Sequence, residues 1–266
     1  MRLTSSHSLP HLTSPRLASP RLASPHPTAT STMTTSTPYY PLGVDIIGYV
    51  PNTQSTAQIL LGFSASVAAV LFIALLTARR LKLSRYETLS VLWFLVSGCI
   101  HFFLEAMLPG FYAHNFAVLA GSSHPLAQAW KEYSLSDSRY LTSDPFMIVM
   151  ESITAFLWGP ICFTLAVFII IDHPLRLPLQ IIVCVGQIYG NVLYYGIVFL
   201  MDILYDVQTC RPETYYFYGY FIFLNAFWIF IPGYYLKQAV AETRDTIHIV
   251  QAAMRRHIEE RHAAKM

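Results

Sequence analysis

The sequence predicts an all-α membrane protein of five transmembrane helices, and three observations carry that expectation. Five apolar runs follow one another between residues 57 and 236, each near or above the roughly 20 residues that cross a bilayer as a helix. Charged residues make up only 12% of the 266-residue chain, against 54% hydrophobic residues and a mean hydropathy of +0.44; a soluble domain carries roughly 25% charge. Lys and Arg gather in alternate connections, as they do in polytopic chains. The formal net charge of +2 is too small to indicate a nucleic-acid partner.

The first run, 57–78, contains no charge and stops at Arg79-Arg80-Leu81-Lys82. The others are 88–111, 146–171, 177–201 and 215–236. An odd number of spans puts the two termini on opposite sides. The connection after the first run holds Arg79, Arg80, Lys82 and Arg85, and the C-terminal stretch holds Lys237, Arg244, Arg255, Arg256, Arg261 and Lys265. The second-to-third connection has only Lys131 and Arg139, and the fourth-to-fifth has Arg211 among Asp202, Asp206 and Glu213. The basic side is the cytoplasmic one, so the N-terminus is expected in the lumen and the C-terminus in the cytoplasm.

Residues 1–40 differ from the rest. Ser14-Pro15-Arg16-Leu17-Ala18 repeats as Ser19-Pro20-Arg21-Leu22-Ala23 within a Ser/Thr/Pro-rich tail, a composition that cannot bury enough apolar surface to offset the entropy of ordering. Its arginines suggest an organelle transit peptide, but prolines through its middle oppose the amphipathic helix that such a peptide needs. Met33 looks like a second start. The expected organisation is therefore a disordered tail (1–40), a five-helix domain (41–240) and a basic cytoplasmic tail (241–266). Cys99, Cys162, Cys184 and Cys210 show no metal-ligand spacing and read as free thiols.

Two stretches place ionisable groups inside apolar runs. His101 and Glu105 are four residues apart and share a helix face, and Glu151, Thr154 and Trp158 share another at offsets of three and seven. Charges at membrane depth are costly and face the bundle interior. At 1.5 Å per residue, Glu105 and Glu151 lie roughly 8 to 9 Å from the luminal ends of their runs, and Thr154, His101, Asn191 and Asn225 roughly 13 to 15 Å. Trp228, Trp158 and Gln187 lie just beneath, at roughly 20 Å. One polar layer in a hydrocarbon-lined cavity is the expectation. Plainer readings stand beside it: Asn191 and Asn225 as interhelical bonds worth ~0.6 kcal/mol each, Thr154 bonded back to its own helix, and Trp228 as packing. Two carboxylates and a histidine at one depth resist such a reading, because burying them for packing alone makes little energetic sense.

No dinucleotide, phosphate-loop, zinc-protease or nucleophile-elbow motif is present, so the chemistry expected is cofactor-free acid–base work on a lipophilic substrate. Ile100-His101-Phe102-Phe103-Leu104-Glu105, Trp130-Lys131-Glu132-Tyr133, Asp137-Ser138-Arg139-Tyr140, Met150-Glu151-Ser152-Ile153-Thr154, Gln187-Ile188-Tyr189-Gly190 and Asn225-Ala226-Phe227-Trp228 resemble the emopamil-binding protein family, the sterol Δ8-Δ7 isomerases with their EXPERA-type membrane domain. Asn191 departs from that pattern, in which an acid follows the Tyr-Gly pair. The resemblance implies a five-helix endoplasmic reticulum protein enclosing a sterol cavity, which moves a C8=C9 double bond to C7=C8 without a cofactor. It also implies binding of cationic amphiphilic amines as inhibitors, and leaves open homodimers or association with other sterol enzymes. On this reading His101, Glu105 and Glu151 move protons, Thr154 orients Glu151 and the Trp228 face stabilises a cation. Tyr140, Trp158, Gln187, Asn191 and Asn225 contact or frame the substrate. The alternative is a non-catalytic sterol or amine receptor of the same superfamily, which needs the cavity but not a complete proton-handling set.

Overall fold

Every regular element of the computed structural model is helical among the residues described, 37–104 and 111–266. The tail 1–36, with its repeat and Met33, and Glu105 lie outside those residues. The helix α1 spans Thr56–Arg80 and α2 Arg85–Cys99. Each opens on a capping box: the Ser55 amide donates to Gln58 Oε1 at 2.9 Å and the Ser84 amide to Glu87 Oε2 at 2.8 Å. Both boxes satisfy amide donors that the first helical turn cannot. In the loop that follows, α3 is Phe111–Asn115 and α4 is Pro125–Tyr133. Asp144 caps α5, Pro145–Ile153, by accepting from the Met147 amide at 3.0 Å. The same long helix continues as α6, Gly159–Ile170, and α7 is Arg176–Tyr205. The last helix, α8, is Asn225–Ala263.

By length and composition, four described helices can cross a membrane: Thr56–Arg80, Pro145–Ile170, Arg176–Tyr205 and Tyr215–Ala263. The run 88–111 begins earlier than its apolar content suggests, at Arg85, because Ser84 supplies the cap. Its helix is followed to Leu104. The last helix runs well past residue 236, so the stretch 241–266 expected as a tail is helical to Ala263. The reason is its composition: 237–263 is rich in Ala, Glu, Arg and Gln and has neither Gly nor Pro.

Helix α2 packs along α6, and α7 along α8. Glycine permits close approach at two of the contacts. A Cβ on Gly186 would lie 2.4 Å from Trp158 Cζ2, and one on Gly98 2.8 Å from the Phe163 ring. Helix α1 is peripheral, burying only Ile59, Ala74 and Ala78. Between α1, α2 and α4 lies an open groove of about 490 Å³, lined by Gly62, Phe63, Val67, Val96, Ile100 and Leu126 among others. None of the candidate site residues among those described lines it.

Two apolar clusters make the core. One joins Tyr112, Trp130, Tyr140, Met147, Tyr194 and Phe221; the other joins Phe94, Cys162, Leu165, Val183, Cys184 and Tyr235. Residues 37–54 are stitched onto α4 beside the first cluster. Tyr39 Oη donates to the Lys131 carbonyl at 2.9 Å, Lys131 Nζ donates to the Val50 carbonyl at 2.7 Å, and Gln128 Oε1 accepts from the Thr53 and Gln54 amides at 2.9 Å. Burial holds the Lys131 ammonium below its ordinary pKa, as desolvation does for a cation. Cys162, Cys184 and Cys210 are buried, and Cys99 is only half-buried.

Candidate active site

Between the two clusters, each site-bearing helix carries its polar residues. On α5–α6, Glu151 and Thr154 separate Met150 of one cluster from Trp158 of the other; on α7, Gln187 and Asn191 separate Cys184 from Tyr194. On the last helix, Asn225 and Trp228 separate Ile222 from Ile231, and His101 comes just beyond α2, which carries Phe94. Three of these four helices change winding at this level. The π segments are Ile100–Leu104, which carries His101, Thr154–Trp158, and Tyr215–Leu224, which ends at Asn225. π turns are rare and concentrate at functional sites; nothing in the apolar periodicity announced them.

The His101 ring, 3% exposed, is the centre of the layer. Trp228 Nε1 donates to His101 Nε2 at 3.3 Å, and Gln187 Nε2 lies 3.2 Å from the same nitrogen. An indole N–H can only donate, so His101 Nε2 accepts and the imidazole proton resides on Nδ1. The same constraint fixes the Gln187 amide with its N–H toward the ring. The Trp228 and His101 ring centroids are 6.0 Å apart with a 53° tilt, and the Trp93 ring centroid lies 5.9 Å from that of Trp228. Trp93 was not singled out in the sequence. Its signal was its position two helical turns before His101, on the same face.

Glu151, 4% exposed, accepts from Tyr140 Oη at 2.9 Å through Oε1. The Tyr140 hydroxyl, expected among the groups that frame the substrate, is buried against this carboxylate. The cause is the turn Ser138–Tyr140, which is held inward. Asp137 caps it, and Arg139 pairs with Asp137 at 2.6 Å while its guanidinium lies 5.5 Å from the Tyr194 ring and 5.8 Å from the Phe146 ring. Burial works to lower the Arg139 pKa, but the hydrogen bonds and charge of Asp137 outweigh it and hold the guanidinium above its ordinary value. Burial first, and then the Glu151 charge, push the Tyr140 phenol well above its usual range, so Tyr140 remains a donor.

Thr154 Oγ1 donates to the Met150 carbonyl at 2.8 Å, the back-bonded geometry, so its proton is engaged by its own helix rather than by Glu151. Asn191 Nδ2 donates to the Asn225 carbonyl at 2.7 Å, bridging α7 and α8. Asn225 in turn donates from Nδ2 to Tyr133 Oη at 2.9 Å and to the Phe221 carbonyl at 2.8 Å. The latter serves a carbonyl at the end of the π segment. The pair thus acts structurally between helices, and Tyr133 joins it unforeseen. Trp158 is half-buried, with its indole against Gly186. Away from the layer, Asp172-His173-Pro174 terminates α6: the His173 ring stacks on Phe168 at 4.0 Å, and Arg176 pairs with Asp172 at 3.1 Å.

A family model described as EXPERA (EXPanded EBP superfamily) matches residues 125–239. The chain is 37% identical over 215 residues to a 3-beta-hydroxysteroid-Delta(8),Delta(7)-isomerase of Mus musculus, covering 78% of this chain and 90% of that protein. The Rattus norvegicus protein of the same name is 37% identical over 76% of this chain and 86% of its own length. The one from Cavia porcellus is 37% identical over 75% and 87%. Similarity at that level across most of both chains, over a helical layer built from the motif residues themselves, establishes that the chain belongs to the EBP family.

Proposed function

We propose that this protein is a sterol Δ8-Δ7 isomerase, an intramolecular isomerase that transposes a C=C bond. The observation that carries the reading is the His101 centre, where Trp228 and Gln187 converge on one imidazole nitrogen in a chain 37% identical to named isomerases. Protonation of the C8=C9 alkene at C9 leaves a cation at C8, and loss of a C7 proton gives C7=C8. Atoms and electrons balance with no redox step and no consumed cofactor. We assign proton delivery to His101 with Glu105. With Nε2 occupied by two donors, His101 is assigned to orient the acid, and the Glu105 carboxyl to deliver the proton and become a carboxylate. Glu151, already the acceptor of the Tyr140 hydroxyl, is assigned to proton removal at C7. The Trp228 face, with the Trp93 ring 5.9 Å away, is assigned to stabilise the cation.

The same reading includes five spans, with α2 and the residues after Leu104 completing the second, and a sterol-sized cavity at the polar layer. It places the N-terminus in the lumen of the endoplasmic reticulum and the C-terminus in the cytoplasm, with residues 37–40 taken into the catalytic domain, since Tyr39 is buried in the first cluster. Cationic amphiphilic amines act as inhibitors by imitating the C8 cation. Membranes containing the protein, incubated with a Δ8-sterol, are expected to yield the Δ7-sterol with incorporation of one solvent deuterium at C9. Sterol binding without any Δ7 product would overturn the assignment in favour of a non-catalytic receptor.

A further inference from the structure

Three polar atoms around the His101 centre are buried without a hydrogen-bond partner among the described residues: Ser97 Oγ, Trp93 Nε1 and Gln187 Oε1. An unpartnered buried polar atom costs roughly as much as a lost hydrogen bond, and three in one neighbourhood ask for an occupant. Trp93 and Ser97 on α2 and His101 at the start of the π segment that continues it recur every four residues along one side of the helix. Trp228 spans that face, its ring 5.9 Å from Trp93 and 6.0 Å from His101, with Ser97 between them in the helical register. Gln187 approaches from α7, holding His101 with its N–H and leaving its carbonyl oxygen over. Ser97 is 1% exposed and Gln187 5%, so bulk water is excluded from both.

The three atoms form a complementary set. An indole N–H donates only, a carboxamide oxygen accepts only, and a serine hydroxyl does either. A ligand hydroxyl both donates and accepts, and satisfies all three. A ketone, an ether or a bare methylene leaves at least one of them orphaned. Ser97 is four residues, ~6 Å, before His101 along the helix axis. In a fused-ring sterol the 3-hydroxyl stands about that far from C8, two rings away. We propose that Ser97, Trp93 and Gln187 Oε1 form the recognition site for the 3β-hydroxyl of the sterol, one helical turn from the reacting carbons on the side of α2 nearer Arg85. This assignment rests on the sterol reading above and adds how the substrate is oriented: the hydroxyl end points toward the start of α2, and the side-chain end of the sterol points the other way.

The test is equilibrium binding to the full chain in lipid nanodiscs, with three probes: a Δ8-sterol with a free 3β-hydroxyl, its 3-methyl ether and its 3-deoxy analogue. The wild-type chain is expected to prefer the free alcohol by about tenfold or more. In Ser97→Ala the preference falls, and in Ser97→Ala/Trp93→Phe it falls to within about threefold of unity, while the 3-deoxy probe binds all forms equally and reports an intact fold. Equal binding of alcohol and ether by the wild-type chain, as when a trapped water satisfies these atoms, overturns the proposal; so does an undiminished preference in the double variant. Because binding is read without turnover, hydroxyl-dependent binding in the absence of any Δ7 product would refute the isomerase reading and leave this site standing. Failure of all three probes to bind would refute both.

Discussion

The proposed function gives Trp228 two separable roles, and a pair of substitutions divides them. Its indole N–H donates to His101 Nε2 at 3.3 Å, and its face is available to a cation. Trp228→Phe deletes the N–H and keeps an aromatic face; Trp228→Leu deletes both. One net neutral hydrogen bond is worth about 1 kcal/mol, or about fivefold, so the Phe variant is expected to turn over about fivefold more slowly. Its affinity for a protonated amphiphilic amine should stay within about twofold of wild type, since the π face remains. Leu removes a further ~0.5 to 2 kcal/mol of cation–π attraction, so amine affinity falls by about 2- to 30-fold and turnover falls below that of Phe. Sterol product measured by gas chromatography gives the first quantity, and displacement of a labelled amine gives the second. Thermal unfolding of both variants identifies any general loss of fold. Turnover of the Phe variant equal to wild type would mean that the N–H does not set the His101 tautomer. Unchanged amine affinity in the Leu variant would make Trp228 a packing residue.

Glu151→Gln retains size and polarity but cannot take up a proton, and is expected to lower Δ7-sterol formation by at least roughly 10²; near-normal turnover in a folded variant would remove Glu151 from the chemistry. Tyr140→Phe deletes the 2.9 Å bond to Glu151 but keeps the ring against Trp130, 4.8 Å between centroids. Turnover should therefore drop about tenfold with the melting temperature nearly unchanged, and a large melting shift with normal turnover would reverse that assignment. Gly186→Ala puts a methyl 2.4 Å from the Trp158 indole. Overpacking of this kind costs about 1 to 3 kcal/mol, readable as a lower midpoint in thermal unfolding, and an unchanged midpoint would show that Trp158 moves freely.

Much of this arrangement was legible because membrane burial makes ionisable residues conspicuous. His101 and Glu151 stood out for the cost of placing them in hydrocarbon, and their depth along separate runs placed them at one level. What was illegible came from two sources. The role of Tyr140 depends on a loop turned inward by the buried Asp137–Arg139 pair, and a pair two residues apart reads from sequence as an ordinary exposed turn. Trp93 and Ser97 look like unremarked members of an apolar run; what distinguishes them is that Trp93 Nε1 and Ser97 Oγ are buried without a hydrogen-bond partner among the described residues. Thr154 and the Asn191–Asn225 bridge followed the plainer reading weighed for each, since short polar side chains in a membrane helix bond the nearest carbonyl available.

The π segments give the layer a dependence on chain length. An α-helix turns about 100° per residue, so one residue too many would swing everything after it to another face. A π turn absorbs that residue and lets the helix continue. In α5–α6 the segment Thr154–Trp158 stands between the cap at Asp144 and the close contact of Gly159 with Phe102, so both ends of the helix are fixed while the middle holds a surplus. The facing of Glu151 relative to Trp158 is thus set by how many residues separate them as much as by which residues they are. A relative could keep every polar side chain and still lose the alignment by dropping a single buried alanine such as Ala155, a change that substitution-by-substitution comparison would pass over.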